Sequence, residues 1–142
     1  MMFWDASAVI PLCVDEPRSE AMQAIVREDS AMAAWWGTPV ECFSAFARLR
    51  RERILSEAEE SRVAETVYIL SDSWTEILPS SNIRVLAARI LRIHPLRAAD
   101  SLQMAAALTW AGENTKGQHF VCLDKRLREA ALKEGFSVLP ME

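Results

Sequence analysis

The first seven residues, MMFWDAS, constrain the fold of this chain more than any other stretch. Residues 1–4 form an unbroken apolar run, which is typical of a short strand that is buried on both faces. Asp5 follows at once, and a helical pattern of apolar residues begins directly after Ala6 and Ser7. The stretch therefore predicts a carboxylate at the carboxyl end of a buried strand, the edge of an open α/β sheet where ligands bind.

Strand-like and helix-like segments alternate along the rest of the chain. Residues 31–36, 74–78, 120–123 and 136–139 predict four more strands, and helical periodicity fills the segments between them. Such alternation indicates a parallel sheet that is covered by helices on both faces. With 142 residues, 51% of them hydrophobic, the chain is predicted to form a single α/β domain over residues 1–142.

Composition excludes several classes of protein. No apolar run approaches the roughly 20 residues of a membrane span, and Asp5 interrupts an N-terminus that lacks the basic region of a signal peptide. We therefore expect a cytoplasmic protein with no membrane contact. Three cysteines in apolar or helical patterns (Cys13, Cys42 and Cys122) predict buried free thiols. Two distant histidines offer little to a zinc site or a histidine-based triad, so any metal should be held by oxygen.

Four acidic residues stand out by position: Asp5, Glu41, Asp100 and Asp124. Each has a structural interpretation. Asp5 and Asp124 can cap the helices that follow them, Glu41 can complete a capping box with Thr38, and Asp100 lies in the first turn of a predicted helix. The ends of parallel strands nevertheless share one edge, where Asp5, Glu41 and Asp124 are expected to converge. The sequence does not determine whether the side chain of Asp100 points towards the other three acids.

Carboxylates that converge in one crevice repel each other, and their pKa values rise unless a cation neutralises them. Oxygen ligands without His or Cys suit Mg²⁺, with Mn²⁺ as the alternative. An acid-lined Mg²⁺ site serves phosphoryl chemistry, because the metal activates water and offsets charge on the phosphate. Ser7, on the turn after Asp5, is placed to hydrogen-bond a phosphate oxygen or a water on the metal.

Charge is unevenly distributed along the chain. The net charge of −4 argues against a general nucleic-acid coat protein. Residues 83–99 nevertheless contain four arginines and no acid, namely Arg84, Arg89, Arg92 and Arg97. A helical wheel places the first three on one side of a helix and Leu86, Ile90 and Ile93 opposite. Two interpretations remain open: a solvated helix face, and a phosphate-facing patch just before Asp100.

Four motifs in this order resemble the PIN-domain ribonucleases, and most of all the VapC-type toxins of bacterial toxin–antitoxin pairs. They are DAS at 5–7, TPVE at 38–41, RAADSLQMAAAL at 97–108 and FVCLDKRLREAALKEG at 120–135. The match covers essentially the whole chain, with the spacings usual in that family.

The resemblance implies a PIN-like three-layer α/β/α sandwich around a short parallel sheet of four or five strands. It implies Mg²⁺- or Mn²⁺-dependent endonucleolytic cleavage of RNA, a homodimer, and inhibition by a small cognate antitoxin protein that covers the acidic site. By motif position it assigns the catalytic and metal-binding carboxylates as Asp5, Glu41, Asp100 and Asp124, with Ser7 as their polar helper. The RNA contacts would then include Arg84, Arg89, Arg92 and Arg97.

Other functions compatible with these residues are a PIN-domain RNA-processing nuclease outside a toxin–antitoxin pair, and a non-catalytic PIN scaffold that binds a protein partner. A haloacid-dehalogenase-type phosphatase also places an Asp after its first strand. That class requires a second Asp two residues later, where this chain has Ser7. A small antitoxin-like reading frame next to the gene would separate a toxin from a processing nuclease.

Overall fold

The computed structural model describes residues 1–141, which form five strands and seven helices. In chain order these are β1 (Met2–Trp4), α1 (Ala6–Cys13), α2 (Ser19–Glu28), β2 (Met32–Trp35), α3 (Thr38–Arg51), α4 (Glu57–Ser73), β3 (Thr75–Ile77), α5 (Ser81–Ile93), α6 (Ala98–Trp110), β4 (His119–Val121), α7 (Lys125–Lys133) and β5 (Ser137–Leu139). All five predicted strands are present, and their bounds differ from the prediction only at the ends.

The five strands form one parallel sheet in the order β3-β2-β1-β4-β5. In its register, Phe3 of the central strand β1 pairs with Ala33 on one side and with Phe120 on the other. All five carboxyl ends therefore lie along one edge of the sheet. Asp5, directly after β1, lies at the centre of that edge.

Helices cover both faces of the sheet. Successive side chains of a strand point to opposite faces, so neighbouring residues of β1 pack against different helices. Trp4 belongs to an apolar cluster with residues of α1 to α4, such as Val9 and Phe46. Phe3 belongs to a second cluster with residues of α5 to α7, such as Met104. The predicted three-layer α/β/α sandwich is thus confirmed.

Helix α5 packs differently from the helical-wheel prediction. The buried side chains of α5 are Ile83, Ala87 and Ile90, whereas Ile93 is 59% exposed. The prediction that Ile93 lies on the apolar face is therefore wrong. Ile93 is the last residue of α5 and lies to one side of the line that packs against the core.

The three cysteines follow the prediction only in part. Cys42 and Cys122 are buried free thiols, as predicted, whereas Cys13 is only half-buried. Within residues 1–141, no helix combines the length and the apolar character that a membrane span requires.

Candidate active site

Asp5 is a nearly inaccessible carboxylate at the centre of the sheet edge, with 3% of its surface exposed. It caps α1, because its Oδ2 accepts the backbone N–H of Ser7 at 3.0 Å. The Ser7 hydroxyl donates to the same oxygen at 2.5 Å. The capping prediction is therefore confirmed, and these bonds fix the orientation of the carboxylate.

Burial raises the pKa of Asp5 from its ordinary value of 3.8 to about 6. The hydrogen bonds from Ser7 oppose this rise, and the negative charge of Asp100 adds to it. Near neutral pH the carboxylate is therefore ionised at a cost in folding free energy. A cation bound at this edge would offset that cost.

The connection between β4 and α7 is tied to Asp5 through Ser7. The Ser7 Oγ accepts the backbone N–H of Leu123 at 2.9 Å and that of Asp124 at 3.3 Å. Asp124 in turn caps α7 by accepting the N–H of Leu127 at 2.9 Å, as predicted. Ser7 therefore positions two of the acids, while its contact with a phosphate remains a prediction.

Glu41 is held in a way that the sequence did not indicate. Helix α3 begins at Thr38 with Gly37 as its N-cap and no side-chain capping bond, so the predicted capping box between Thr38 and Glu41 is wrong. Both side chains instead accept from the amide of Gln103. Its Nε2 donates to Thr38 Oγ1 at 2.9 Å and to Glu41 Oε2 at 2.8 Å.

Gln103 lies on α6 one turn after Asp100 and is fully buried. The amide nitrogen faces Glu41, an orientation that suits the ionised carboxylate because that form only accepts hydrogen bonds. The opposite atom, Oε1, then has no hydrogen-bond partner within residues 1–141, which is uncommon for a buried polar group. Gln103 was missed by sequence analysis. The available signal was one amide within the alanine-rich stretch of α6.

The negative charges of neighbouring acids contribute to the raised pKa values of Glu41 and Asp100. Burial, together with the charge of Asp5, raises the pKa of Glu41 from 4.5 to about 7, and the bond from Gln103 opposes the rise. Burial and the charge of Asp124 raise the pKa of Asp100, which the neighbouring Arg97 partly opposes. Asp100 therefore lies close enough to the other acids for their charges to interact.

Asp100 and Asp124 line a cleft of about 540 Å³ together with three basic residues, Arg97, Lys125 and Arg126. Lys125 and Arg126 were missed by sequence analysis, although they directly follow Asp124 in the motif. We call these three residues the basic cleft residues. They place positive charge beside two of the acids.

The other predicted arginines lie elsewhere. Arg84 lines a separate cavity next to Trp36, Arg89 lines a groove with Glu113, and Arg92 is exposed on α5. Of the predicted set, only Arg97 lines the cleft that contains Asp100 and Asp124. The short connection that carries Arg97 is anchored by buried His94, whose Nε2 lies 2.6 Å from Glu134 Oε2.

The donor chemistry of this edge fits a hard divalent cation. Within residues 1–141, no three His, Cys, Asp or Glu side chains are close enough together to hold a metal ion. Mg²⁺, however, usually takes only one or two protein carboxylates and keeps several waters. The nearest sulfur, Cys122 Sγ, lies 3.6 Å from Asp5 Oδ2, and burial raises the pKa of its thiol, so it stays protonated. The candidate ligands are thus oxygens.

The fold is that of a PIN-like α/β protein, as the sequence motifs predicted. Its sandwich matches the FitAcB structure from Neisseria gonorrhoeae with a TM-score of 0.67 at 15% identity, over 99% of this chain and 97% of that one. A toxin–antitoxin complex from Klebsiella pneumoniae matches with a TM-score of 0.62 at 15% identity, over 89% of each chain. At such low identity these matches concern the fold alone.

Two ribonucleases are similar to this chain in sequence. Ribonuclease VapC45 of Mycobacterium tuberculosis strain CDC 1551 / Oshkosh and ribonuclease VapC49 of strain H37Rv are each 28% identical to it over 146 aligned positions. Each alignment covers 100% of this chain and 96% of the relative. No protein-family model matches the chain. The resemblance to VapC-type PIN-domain ribonucleases is thereby confirmed over the full length.

Proposed function

We propose that this chain is a metal-dependent endoribonuclease that acts as the toxin of a toxin–antitoxin pair. The observation that carries the proposal is buried Asp5 at the centre of the sheet edge, coupled electrostatically to Glu41 and Asp100. The full-length similarity to two VapC ribonucleases supports RNA as the substrate. The fold shared with the Klebsiella toxin–antitoxin complex supports a small antitoxin as the partner.

The metal site would be formed by Asp5, Glu41, Asp100 and Asp124, with one or two of these carboxylates bound directly to Mg²⁺ or Mn²⁺ and the others reached through its waters. When bound, such an ion activates water as the nucleophile and offsets negative charge on the phosphate. Ser7 keeps Asp5 directed at the edge, and Gln103 does the same for Glu41. The basic cleft residues would contact RNA phosphates. We also propose that the active form is a homodimer, as the resemblance implies.

Metal dependence is the first test of the proposal. The purified protein is expected to cleave unstructured RNA internally in Mg²⁺, to stop when EDTA is added, and to resume when Mg²⁺ or Mn²⁺ is restored. Gel analysis of end-labelled RNA measures this directly. Cleavage that continues unchanged in EDTA contradicts the metal role, and no cleavage with either ion favours the non-catalytic scaffold. Growth arrest on expression, relieved by a neighbouring small reading frame, tests the role as a toxin.

The position of the basic residues predicts which of them meet RNA. A double variant of the cleft, Arg97→Gln with Arg126→Gln, should bind RNA more weakly and lower the log–log salt slope by roughly 0.7 per lost phosphate contact. The matched control, Arg89→Gln with Arg92→Gln, removes the same charge from exposed sites on α5. Binding isotherms at several salt concentrations give both slopes. If only the α5 pair lowers the slope, the RNA follows the arginine helix and not the cleft.

A further inference from the structure

Trp36 is an exposed aromatic residue at the edge of the sheet that carries the acids. It directly follows β2, and its side chain is 54% exposed. Its backbone N–H donates to Ile77 O at 3.0 Å, and its ring stands edge-on to Trp35 at 6.5 Å between centroids. Trp35 is buried, and its indole lies so close over Gly37 that a Cβ at that position would come within 2.5 Å of its Nε1. Trp36 is therefore presented to solvent from a well-anchored turn.

A cavity of about 440 Å³ lies beside this ring; we call it the Trp36 cavity. Its principal lining residues are Trp36, Pro79, Ser80, Ser81, Arg84 and Leu102. One part of this lining is apolar, and the other offers a guanidinium and two hydroxyls. A nucleic-acid base has a flat apolar face and a polar edge, so its surface is complementary to such a lining.

The Trp36 cavity lies at the same edge of the sheet as the acids. Phe3 pairs with Ala33 in parallel register, so Asp5, directly after β1, and Trp35, the last residue of β2, come at the same level of the two neighbouring chain segments. Leu102 lies on α6 between Asp100 and Gln103. The basic cleft residues belong instead to the connection before α6 and to α7, which follows β4 on the other side of β1. An RNA strand that crosses the acids from the cleft would therefore next reach the Trp36 cavity.

We infer that the Trp36 cavity binds an unpaired base of the RNA substrate next to the cleaved phosphodiester. Trp36 stacks on the base, and Arg84 contacts the adjoining phosphate. This inference rests on the proposed ribonuclease function and adds to it a preference for single-stranded RNA, because a paired base cannot present its face to the indole. Stacking tolerates every base, so Trp36 would contribute affinity and not sequence specificity.

Binding of labelled RNA to metal-free protein tests the inference without cleavage, by fluorescence anisotropy. Trp36→Ala should weaken binding of a single-stranded 12-mer by roughly 5- to 100-fold, the usual effect of losing one base–aromatic stack. Trp36→Phe should retain most of the affinity. The matched control is Tyr68→Ala, which removes an aromatic ring of similar exposure, 57%, from α4. Duplex RNA of the same sequence should bind the Trp36→Ala variant and the unmodified protein equally.

The outcomes separate this inference from the proposed function. Unmodified protein that cleaves RNA, together with a Trp36→Ala variant that binds like the Tyr68→Ala control, overturns the subsite alone. An unchanged RNA affinity with an altered oligomeric state by light scattering also overturns it and assigns the Trp36 cavity to a protein contact. If the unmodified protein neither binds nor cleaves RNA, the subsite fails together with the proposed function. An Arg84→Gln variant with a lower salt slope supports the phosphate contact.

Discussion

Asp5→Asn is expected to abolish metal-dependent RNA cleavage while the protein stays folded. Asn is also a good N-cap residue, so the hydrogen bonds from Ser7 have an acceptor in the variant. The loss of activity should exceed the 10- to 100-fold that removal of an outer-sphere partner of a metal typically causes. Cleavage rates in Mg²⁺ measure the effect, with Asp72→Asn on the exposed side of α4 as the matched control. Wild-type cleavage by the variant would show that the site is assigned wrongly.

The same variant should be more stable than the unmodified protein when no metal is added. The pKa of Asp5 is raised to about 6 by burial, so folding favours the protonated carboxyl. That stabilisation is fully present below about pH 4 and is lost as the pH rises through 6. Asp5→Asn should therefore match wild-type stability near pH 4 and exceed it by up to about 3 kcal/mol at pH 7.

Denaturant titrations at several pH values measure this difference. Adding Mg²⁺ or Mn²⁺ should stabilise the unmodified protein and not the variant. The difference in their free energies of unfolding at pH 7 should therefore become smaller. A stability difference that does not depend on pH would contradict the raised pKa of Asp5. A stability difference that metal leaves unchanged would instead contradict metal binding at Asp5.

Glu41→Gln should also lose at least about 100-fold in cleavage with the fold intact, if the carboxylate takes part in metal binding. The new amide side chain still offers an oxygen to Gln103 Nε2, so the buried contact is kept and only the charge is lost. Because burial raises the pKa of Glu41 to about 7, the variant should be no less stable than wild type at pH 8. Glu65→Gln, exposed on α4, is the matched control. Full activity of Glu41→Gln would reduce Glu41 to a structural role.

A companion variant, Gln103→Leu, separates the charge of Glu41 from its positioning. Leu fills a similar volume with an apolar side chain but removes the donor to Thr38 and Glu41, which should cost about 1–3 kcal/mol of stability. If Gln103 only orients Glu41, cleavage should fall by about 10- to 100-fold and Mn²⁺ affinity by calorimetry should fall in proportion. An unchanged Mn²⁺ affinity would show that Gln103 contributes to packing and does not position Glu41 for metal binding.

Local sequence patterns were sufficient to predict the layered fold and the acids at the sheet edge. Apolar runs such as residues 1–4 and 120–123 specify buried strands locally, and parallel pairing then sends their carboxyl ends to one edge. Asp5 and Asp124 follow from that rule alone, since each comes directly after a strand or its last apolar residues. Their capping roles were also readable, because capping depends on the next three residues of the chain.

How those acids are held, and what surrounds them, emerged only from the packing of the folded chain. Gln103 and Glu41 are 62 residues apart in the chain, so no local pattern predicts their hydrogen bond, and a capping box with Thr38 was the local alternative. The same limit applies to charge. Arg97 and Arg126 meet in one cleft because α6 and α7 begin side by side, whereas Arg84 and Arg89 of α5 line other cavities. Periodicity fixes which face of one element is buried. Which polar groups meet across elements depends on packing between segments that are distant in sequence.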